Sequence, residues 1–256
     1  MMRIDLNCDM GESFGAYTIG ADEAVMSSIS SANVACGYHG GDPAVMRRTV
    51  RLACAAGVAV GAHPGFPDLA GFGRREMRMA PQDAEDMILY QIGALAAIAQ
   101  SEGARLWHVK PHGALYNMAV KDRGLAGAIA RAVVAFDRSL ILFALPGSEL
   151  VRAADECGLH TASEGFADRA YEPDGTLTPR SRAGAVIDDV RTVVQRAVQM
   201  AVEGTVVAID GSELAMRVDT ICTHSDTPGA QDLTRALRAG LERAGVAIAP
   251  VHGPAA

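Results

Sequence analysis

Near the start of the sequence Asp5, Asn7 and Asp9 alternate with Ile4, Leu6 and Cys8. In an extended segment that period of two puts the three polar side chains on one face. A face that would otherwise be packed with branched apolar residues carries polar groups only for a hydrogen-bonding or catalytic reason. Chemistry-bearing residues recur downstream. A glycine-rich turn holds His39 between Cys36 and Pro43, and opens a helix whose first N–H groups can face an anion. His63 ends an apolar run, and the loop after it carries Asp68, Gly71, Gly73, Arg74 and Arg75, the composition of a lid or substrate loop. The densest cluster is Lys110-Pro111-His112-Gly113-Ala114-Leu115-Tyr116-Asn117. Glu164, Asp168-Arg169 and finally His224-Ser225-Asp226 follow.

These types suit acid, base and ligand chemistry and leave the reaction undefined. Asp9 or Glu164 can serve as general base and His39, His63, His112 or His224 as proton donor, while Lys110, Arg74 and Arg169 can hold a carboxylate or phosphate. We take Asp9, His39, His63, Lys110, His112, Glu164 and His224 as the catalytic candidates. Asn7, Glu12, Arg74, Tyr116, Asn117, Asp168, Arg169 and Asp226 are the substrate-binding candidates. Each has a structural alternative: a lone histidine at a strand end is more often packed than catalytic, and Arg74 and Arg169 could simply pair with Asp68 and Asp168. Their coincidence at one end of strand after strand favours the functional reading.

The elements needed to position them are legible. Short β-branched runs at 3–8, 32–36, 58–62, 106–110, 140–145, 161–164 and 219–223 alternate with helical patterns. Asp42-Pro43 caps a helix that Gly57 stops; a second runs from near Pro81 to Gly103, and a third from about Val186 to Gly204. Strand and helix alternating at this rhythm imply parallel pairing through right-handed crossovers, so the expectation is an α/β chain forming a seven-stranded parallel β/α barrel, an incomplete TIM-like closure, in one domain over 1–256. A hairpin pattern over 205–217 reads as an insertion.

The bulk numbers exclude other classes. With 256 residues, 49% hydrophobic and 21% charged, there is apolar material for a large core. A net charge of -7 without a basic run argues against nucleic acid, and no apolar stretch suits a membrane span or leader, so a cytoplasmic protein is expected. Cys8, Cys36, Cys54, Cys157 and Cys222 are odd in number and lack a CxxC pair, which suggests a reducing compartment. Burial as small hydrophobes is expected, Cys54 and Cys157 included. There is no Walker loop, and Gly71-Phe72-Gly73 does not complete G-x-G-x-x-G, so the chain carries no ATP cradle of recognisable type.

The segments Asp5-Leu6-Asn7-Cys8-Asp9-Met10-Gly11-Glu12, Ala32-Asn33-Val34-Ala35-Cys36-Gly37-Tyr38-His39, Gly61-Ala62-His63-Pro64, Gly71-Phe72-Gly73-Arg74-Arg75, residues 109–117, Glu164-Gly165-Phe166-Ala167-Asp168-Arg169 and 221–228 together resemble the LamB/YcsF family. Coverage is almost end to end. The resemblance implies a seven-stranded barrel related to glycoside hydrolases and polysaccharide deacetylases. It also implies one component of an ATP-dependent 5-oxoprolinase, which opens 5-oxoproline to glutamate together with partner subunits B and C. Phosphorylating the lactam oxygen would make the ring carbon electrophilic, which accounts for ATP; the partners would take part in activation while this chain binds the lactam and assists water. Ser225 stands where the family pattern has glycine, which would strain the turn if φ there were positive. The residues alone leave alternatives open. Asp5, Asp9, His39 and His63 offer a ligand set for a metal-dependent deacetylase, though without a tight His-x-x-x-His pair. Lys110 could form a Schiff base, Cys222 and His224 could act as nucleophile and base, or the chain could be a lactam-binding scaffold. A divalent metal and homo-oligomerisation are left undecided.

Overall fold

The computed structural model describes residues 2–225 and 229–251. In chain order the elements are β1 (Met2–Met10), α1 (Asp22–Met26), β2 (Ser31–Ala35), α2 (Pro43–Ala56), β3 (Ala59–His63), α3 (Pro81–Ser101), β4 (Leu106–Val109), α4 (Gly113–Ala119), α5 (Arg123–Phe136), β5 (Ile141–Ala144), α6 (Glu149–Cys157) and β6 (Thr161–Phe166). They continue with α7 (Val190–Val198), β7 (Thr205–Val207), β8 (Glu213–Ala215), β9 (Thr220–His224), α8 (Ala230–Arg243) and β10 (Val246–Ile248).

Strands β1 to β6 and β9 pair in parallel, and β9 returns to β1 to close a seven-stranded barrel. The expected architecture is therefore the observed one. An eighth strand was not anticipated: β10 pairs with Met2, Arg3 and Ile4 of β1, below the stretch that β9 and β2 use. Three residues give too short a pattern to read as a strand. The hairpin expected over 205–217 is present as β7 and β8, a separate antiparallel pair.

Local chemistry explains the boundaries. The Asp42 carboxylate accepts from the N–H groups of Ala44 and Val45 at 2.8 and 2.9 Å, Pro43 opens α2, and Gly57 ends it at φ 68°. One face of α2 (Val45, Met46, Thr49, Val50, Ala53) packs inward, but Cys54 lies on the opposite face and is exposed, and Cys157 is half-buried. The expectation that both are buried was wrong: Cys54 falls outside the apolar stripe of α2, and Cys157, though in register with Leu150, Ala153 and Ala154, packs on the core only in part at the end of α6. Helix α7 begins at Val190, not near Val186, since Val186 bridges to Arg169 and Asp189 supplies the cap. Helices surround the barrel in one continuous apolar layer, in which α3 and α5 bury Ile88, Ile92, Leu95, Ile129 and Val133 completely.

Inside the barrel the usual filling of branched apolar side chains is replaced by a polar column. Asp5, Asn7 and Asp9 all point inward from β1 and are 1%, 0% and 6% exposed. Asp5 accepts from Ser30, Ser31 and Thr220 hydroxyls at 2.6, 2.7 and 2.5 Å. Above it Asn7 donates to Thr220 and accepts from Asn33, whose own carbonyl oxygen accepts from His108 Nε2 at 2.7 Å. His108 lies flat on Phe143, and its ring occupies the space that any Cβ at Gly61 would need. Glycine at 61 therefore makes room for the column.

Candidate active site

At the C-terminal end of the strands the column opens into a cavity of about 1100 Å³. Its base is Lys110, which follows β4 and is 2% exposed. The ammonium lies 2.8 Å from Asp9 Oδ1, 2.9 Å from Glu164 Oε1 and 2.9 Å from Cys222 Sγ. Burial pulls the Lys110 pKa down, but the Asp9 and Glu164 carboxylates outweigh it and hold the pKa well above its ordinary value. Lys110 is thus a fixed cation, which removes the ground for Schiff-base chemistry, since that needs a free amine. Burial alone would raise Asp9, yet His63 and Lys110 bring its carboxyl well below the usual range. Burial pushes the Cys222 thiol well up, so a thiolate nucleophile there is disfavoured.

Two histidine arrangements flank this centre. On one side His224 Nδ1 lies 2.8 Å from Asp168 Oδ2, so Asp168 fixes the tautomer with hydrogen on Nδ1 and leaves Nε2 as the atom that can take a proton. His224 lines the cavity, and Asp168 stands behind it with its carboxyl held below the ordinary value; His224 outweighs the upward push of burial. The structural pairing expected for Asp168 with Arg169 is not what forms. The Arg169 guanidinium donates instead to the carbonyls of Thr178 and Ala185, pinning the segment after β6. Burial and nearby Arg180 bring its pKa down to about 10.

On the other side lie His39, His63 and His112. His63 Nδ1 is 2.7 Å from the Lys110 carbonyl, His112 Nε2 is 2.8 Å from the Phe72 carbonyl, and the remaining nitrogens, His63 Nε2 and His112 Nδ1, are 2.9 Å apart. His39 stacks flat on His112 with ring centroids 3.6 Å apart. Burial drives His39 and His112 well below the usual histidine pKa, so both are neutral imidazoles. Glu12 Oε1 lies 3.4 Å from His39 Nε2 and 3.5 Å from His112 Nδ1. Among the described residues these four form one grouping with metal-ligand spacing, and Asp9, Cys222 and His224 form another; the Asp5, Asp9, His39 and His63 set is not one, since Asp5 is at the far end of the column, fully engaged by hydroxyls. Neutral imidazoles plus a carboxylate are the donor chemistry a zinc-like ion takes, so the residues fit such a group.

The loop after β3 is fastened to this centre. Phe72 supplies the carbonyl that holds His112, and Gly73 O accepts from Ala114 N at 2.9 Å. Gly73 has φ +63°, and a Cβ there would come within 2.7 Å of both His112 and His39. Asp68 pairs with Arg75, not with Arg74 as the structural alternative had it. Arg74 lies over the Phe72 ring and faces the cavity.

Of the sequence candidates, Asp9, Glu12, His63, Arg74, Lys110, His112, Tyr116, Asn117, Arg169 and His224 line the cavity. Asn7, His39, Glu164 and Asp168 stand behind them in direct contact with lining residues. Asp226 lies outside the described residues. Ser225 needs no left-handed turn, since Phe72 is the positive-φ non-glycine position among the described residues; its hydroxyl donates to the Asp9 carbonyl at 2.9 Å. Sequence reasoning missed Asn33 and His108, and also the segment between β6 and α7, where Glu172, Asp174, Arg180 and Arg182 form one wall of the cavity. Its signal was length, about 23 residues without periodicity, which marks a functional loop.

The family profile of LamB/YcsF matches residues 4–256. The chain belongs to the LamB/YcsF family. It is 58% identical over 247 residues to the A subunit of 5-oxoprolinase from Heliobacterium modesticaldum, covering 96% of this chain and 97% of the relative. The lactam utilization protein of Thermus thermophilus superposes with TM-score 0.93 at 51% identity, covering 98% of this chain and 100% of that one. A peptidoglycan N-acetylglucosamine deacetylase catalytic domain of Eubacterium rectale has TM-score 0.52 at 12% identity, covering 98% of this chain and 88% of that one, a likeness of fold alone. No helix among the described residues is long and apolar enough to cross a membrane.

Proposed function

We propose that the chain is the lactam-opening component of an ATP-dependent 5-oxoprolinase. With partner subunits B and C it converts 5-oxo-L-proline to L-glutamate while ATP becomes ADP and phosphate. The observation that carries this reading is the Asp168–His224 pair facing the buried Lys110 ammonium and Asp9 across one cavity. The name borne by relatives at this level of identity supports the substrate class.

A five-membered lactam is a stabilised amide and water a poor nucleophile, so the ring carbonyl is first activated at oxygen by phosphoryl transfer. The sequence has no phosphate cradle of recognisable type, which supports placing that step in the assembly with B and C. In this chain His224 Nε2 takes a proton from water as the new C–O bond forms, and Asp168 stabilises the imidazolium. Lys110 offsets negative charge developing on oxygen. When the C–N bond breaks, the proton that His224 took from water passes to the ring nitrogen, and the acyl phosphate left behind is hydrolysed by a second water to glutamate and phosphate. Arg74 at the rim holds the substrate carboxylate. A metal, when bound, would sit at Glu12, His63 and His112 and act as a Lewis acid there.

The test is reconstitution. The chain with B and C, 5-oxoproline and ATP is expected to release glutamate and phosphate in step, and the chain alone is expected to release neither. Absence of glutamate from the full mixture removes the reading. A deacetylase-like hydrolase is the second reading, favoured by the Glu12 and three-histidine grouping; acetate release from an acetylated sugar by the chain alone would establish it. If the chain were a scaffold only, His224→Asn would leave turnover in the assembled complex unchanged.

A further inference from the structure

A count of hydrogens singles out the His63–His112 contact. The carbonyl oxygens of Lys110 and Phe72 only accept, so His63 carries hydrogen on Nδ1 and His112 on Nε2. The two remaining nitrogens, His63 Nε2 and His112 Nδ1, then face each other at 2.9 Å, each with its lone pair toward the other unless a cation is present. Two lone pairs at that distance repel unless a positive charge lies between or beside them. Beside this contact His39, which is 0% exposed, has no hydrogen bond at either ring nitrogen among the described residues, and its Nε2 lies 3.4 Å from Glu12 Oε1. Buried polar atoms are rarely left so without a role.

We propose that Glu12, His63 and His112, with His39 packed against them, bind a divalent first-row metal ion of the zinc class at the mouth of the barrel. Neighbouring donors around an ion with bonds of about 2.1 Å stand roughly 3.0–3.4 Å apart. The observed separations are 2.9 Å for His63 to His112 and 3.5 Å for Glu12 to His112, with Asp9 Oδ2 a further 3.3 Å from His63 Nε2. Flat stacking keeps the lone pairs of His39 and His112 in parallel planes, so His39 braces His112 and Glu12 and is not a primary donor. The Lys110 and Phe72 carbonyls fix the rotation of the two donor rings, as outer partners of metal histidines do. Glu12, His63 and His112 all line the cavity, so the remaining coordination positions face incoming substrate.

The inference rests on side-chain geometry and holds whether or not the lactam reading does, because it is tested on the chain alone. Protein prepared without chelators or a metal-affinity tag is analysed by plasma mass spectrometry, then stripped, loaded with Co2+ and examined by visible absorption. About one equivalent of zinc-class metal per chain is expected, with the intense d–d bands of a low-coordinate cobalt site. Glu12→Gln and His63→Ala are expected to lower the bound metal at least roughly tenfold, while His224→Asn keeps it. Circular dichroism checks that each variant is folded, and added Zn2+ should raise the wild-type Tm. The idea is overturned by wild-type protein that holds less than about a tenth of an equivalent, gives only the aqueous cobalt spectrum and shows no Zn2+-dependent change in Tm. The His63–His112 contact would then be a shared proton.

Discussion

The two ends of the polar column inside the barrel are built from the same residue types and behave in opposite ways. At the floor, Asp5 is met by three hydroxyls and Asn7, Asn33 and His108 complete one another's hydrogen bonds. At the mouth, charge is concentrated: Lys110 sits between Asp9 and Glu164, and among the described residues the nitrogens of His39 and one oxygen of Asp168 have no hydrogen-bond partner. A saturated network rigidifies; an unsaturated one beside a cavity keeps capacity for a ligand. Burial alone therefore does not separate structural from functional polar groups, whereas hydrogen-bond saturation does.

That contrast can be broken experimentally. The largest effect is expected at the mouth from Lys110→Met. Removing the cation leaves Asp9 and Glu164 buried together, which should cost about 3–5 kcal/mol in denaturant unfolding and abolish glutamate release by the assembled complex. Asp168→Asn should lower turnover about 10²–10⁴-fold with a stability change under about 1 kcal/mol, because it spoils the His224 tautomer and leaves the fold alone. An equal loss of both would mean the pair is structural.

At the floor the order reverses. Gly61→Ala forces the His108 ring to move and should destabilise by about 1–3 kcal/mol, while the folded fraction turns over normally. A last effect, confined to one range of pH, concerns Asp5. Burial raises the Asp5 pKa to about 6 despite its hydroxyl partners. The folded state thus holds a proton that the unfolded chain, with a carboxyl pKa of about 3.9, releases. The contribution to stability is complete below about pH 4 and is lost as pH rises to about 6, by up to about 3 kcal/mol. Asp5→Asn should flatten that part of the stability curve and be no less stable than the wild type at neutral pH. An unchanged slope would show that Asp5 is ionised in the fold.

Much of this was legible from the sequence. Alternation of Asp5, Asn7 and Asp9 already placed them on one face, and Asp42-Pro43 with Gly57 bounded α2, because both signals are local. Polar residues at strand ends collected at one mouth, as parallel topology requires. Pairings between strands were not legible. Asn33 with His108, or Arg75 in place of Arg74 on Asp68, depend on register and rotamer that no single segment encodes. Cys54 was misjudged by one helical position, and the wall formed by Glu172 to Arg182 has no periodicity to detect. His112 and Glu12 were found as polar residues, but their convergence with His39 and His63 required the closed barrel.

Closure itself has a kinetic consequence. The seam between β1 and β9 joins residues as far apart in sequence as Asp5 and Thr220, a separation of 215 positions, and it also brings Asp9 level with His224. Contacts of such long range form late, since the entropy of closing the loop must be met before they stabilise anything. The β2 to β4 side, where His63 and His112 meet, and the β6–β9 pair that holds Asp168 and His224 each rest on shorter-range pairings. The two halves of the chemistry are thus joined across the seam of longest range, and closure is expected to be the slow step that brings Asp9 to His224.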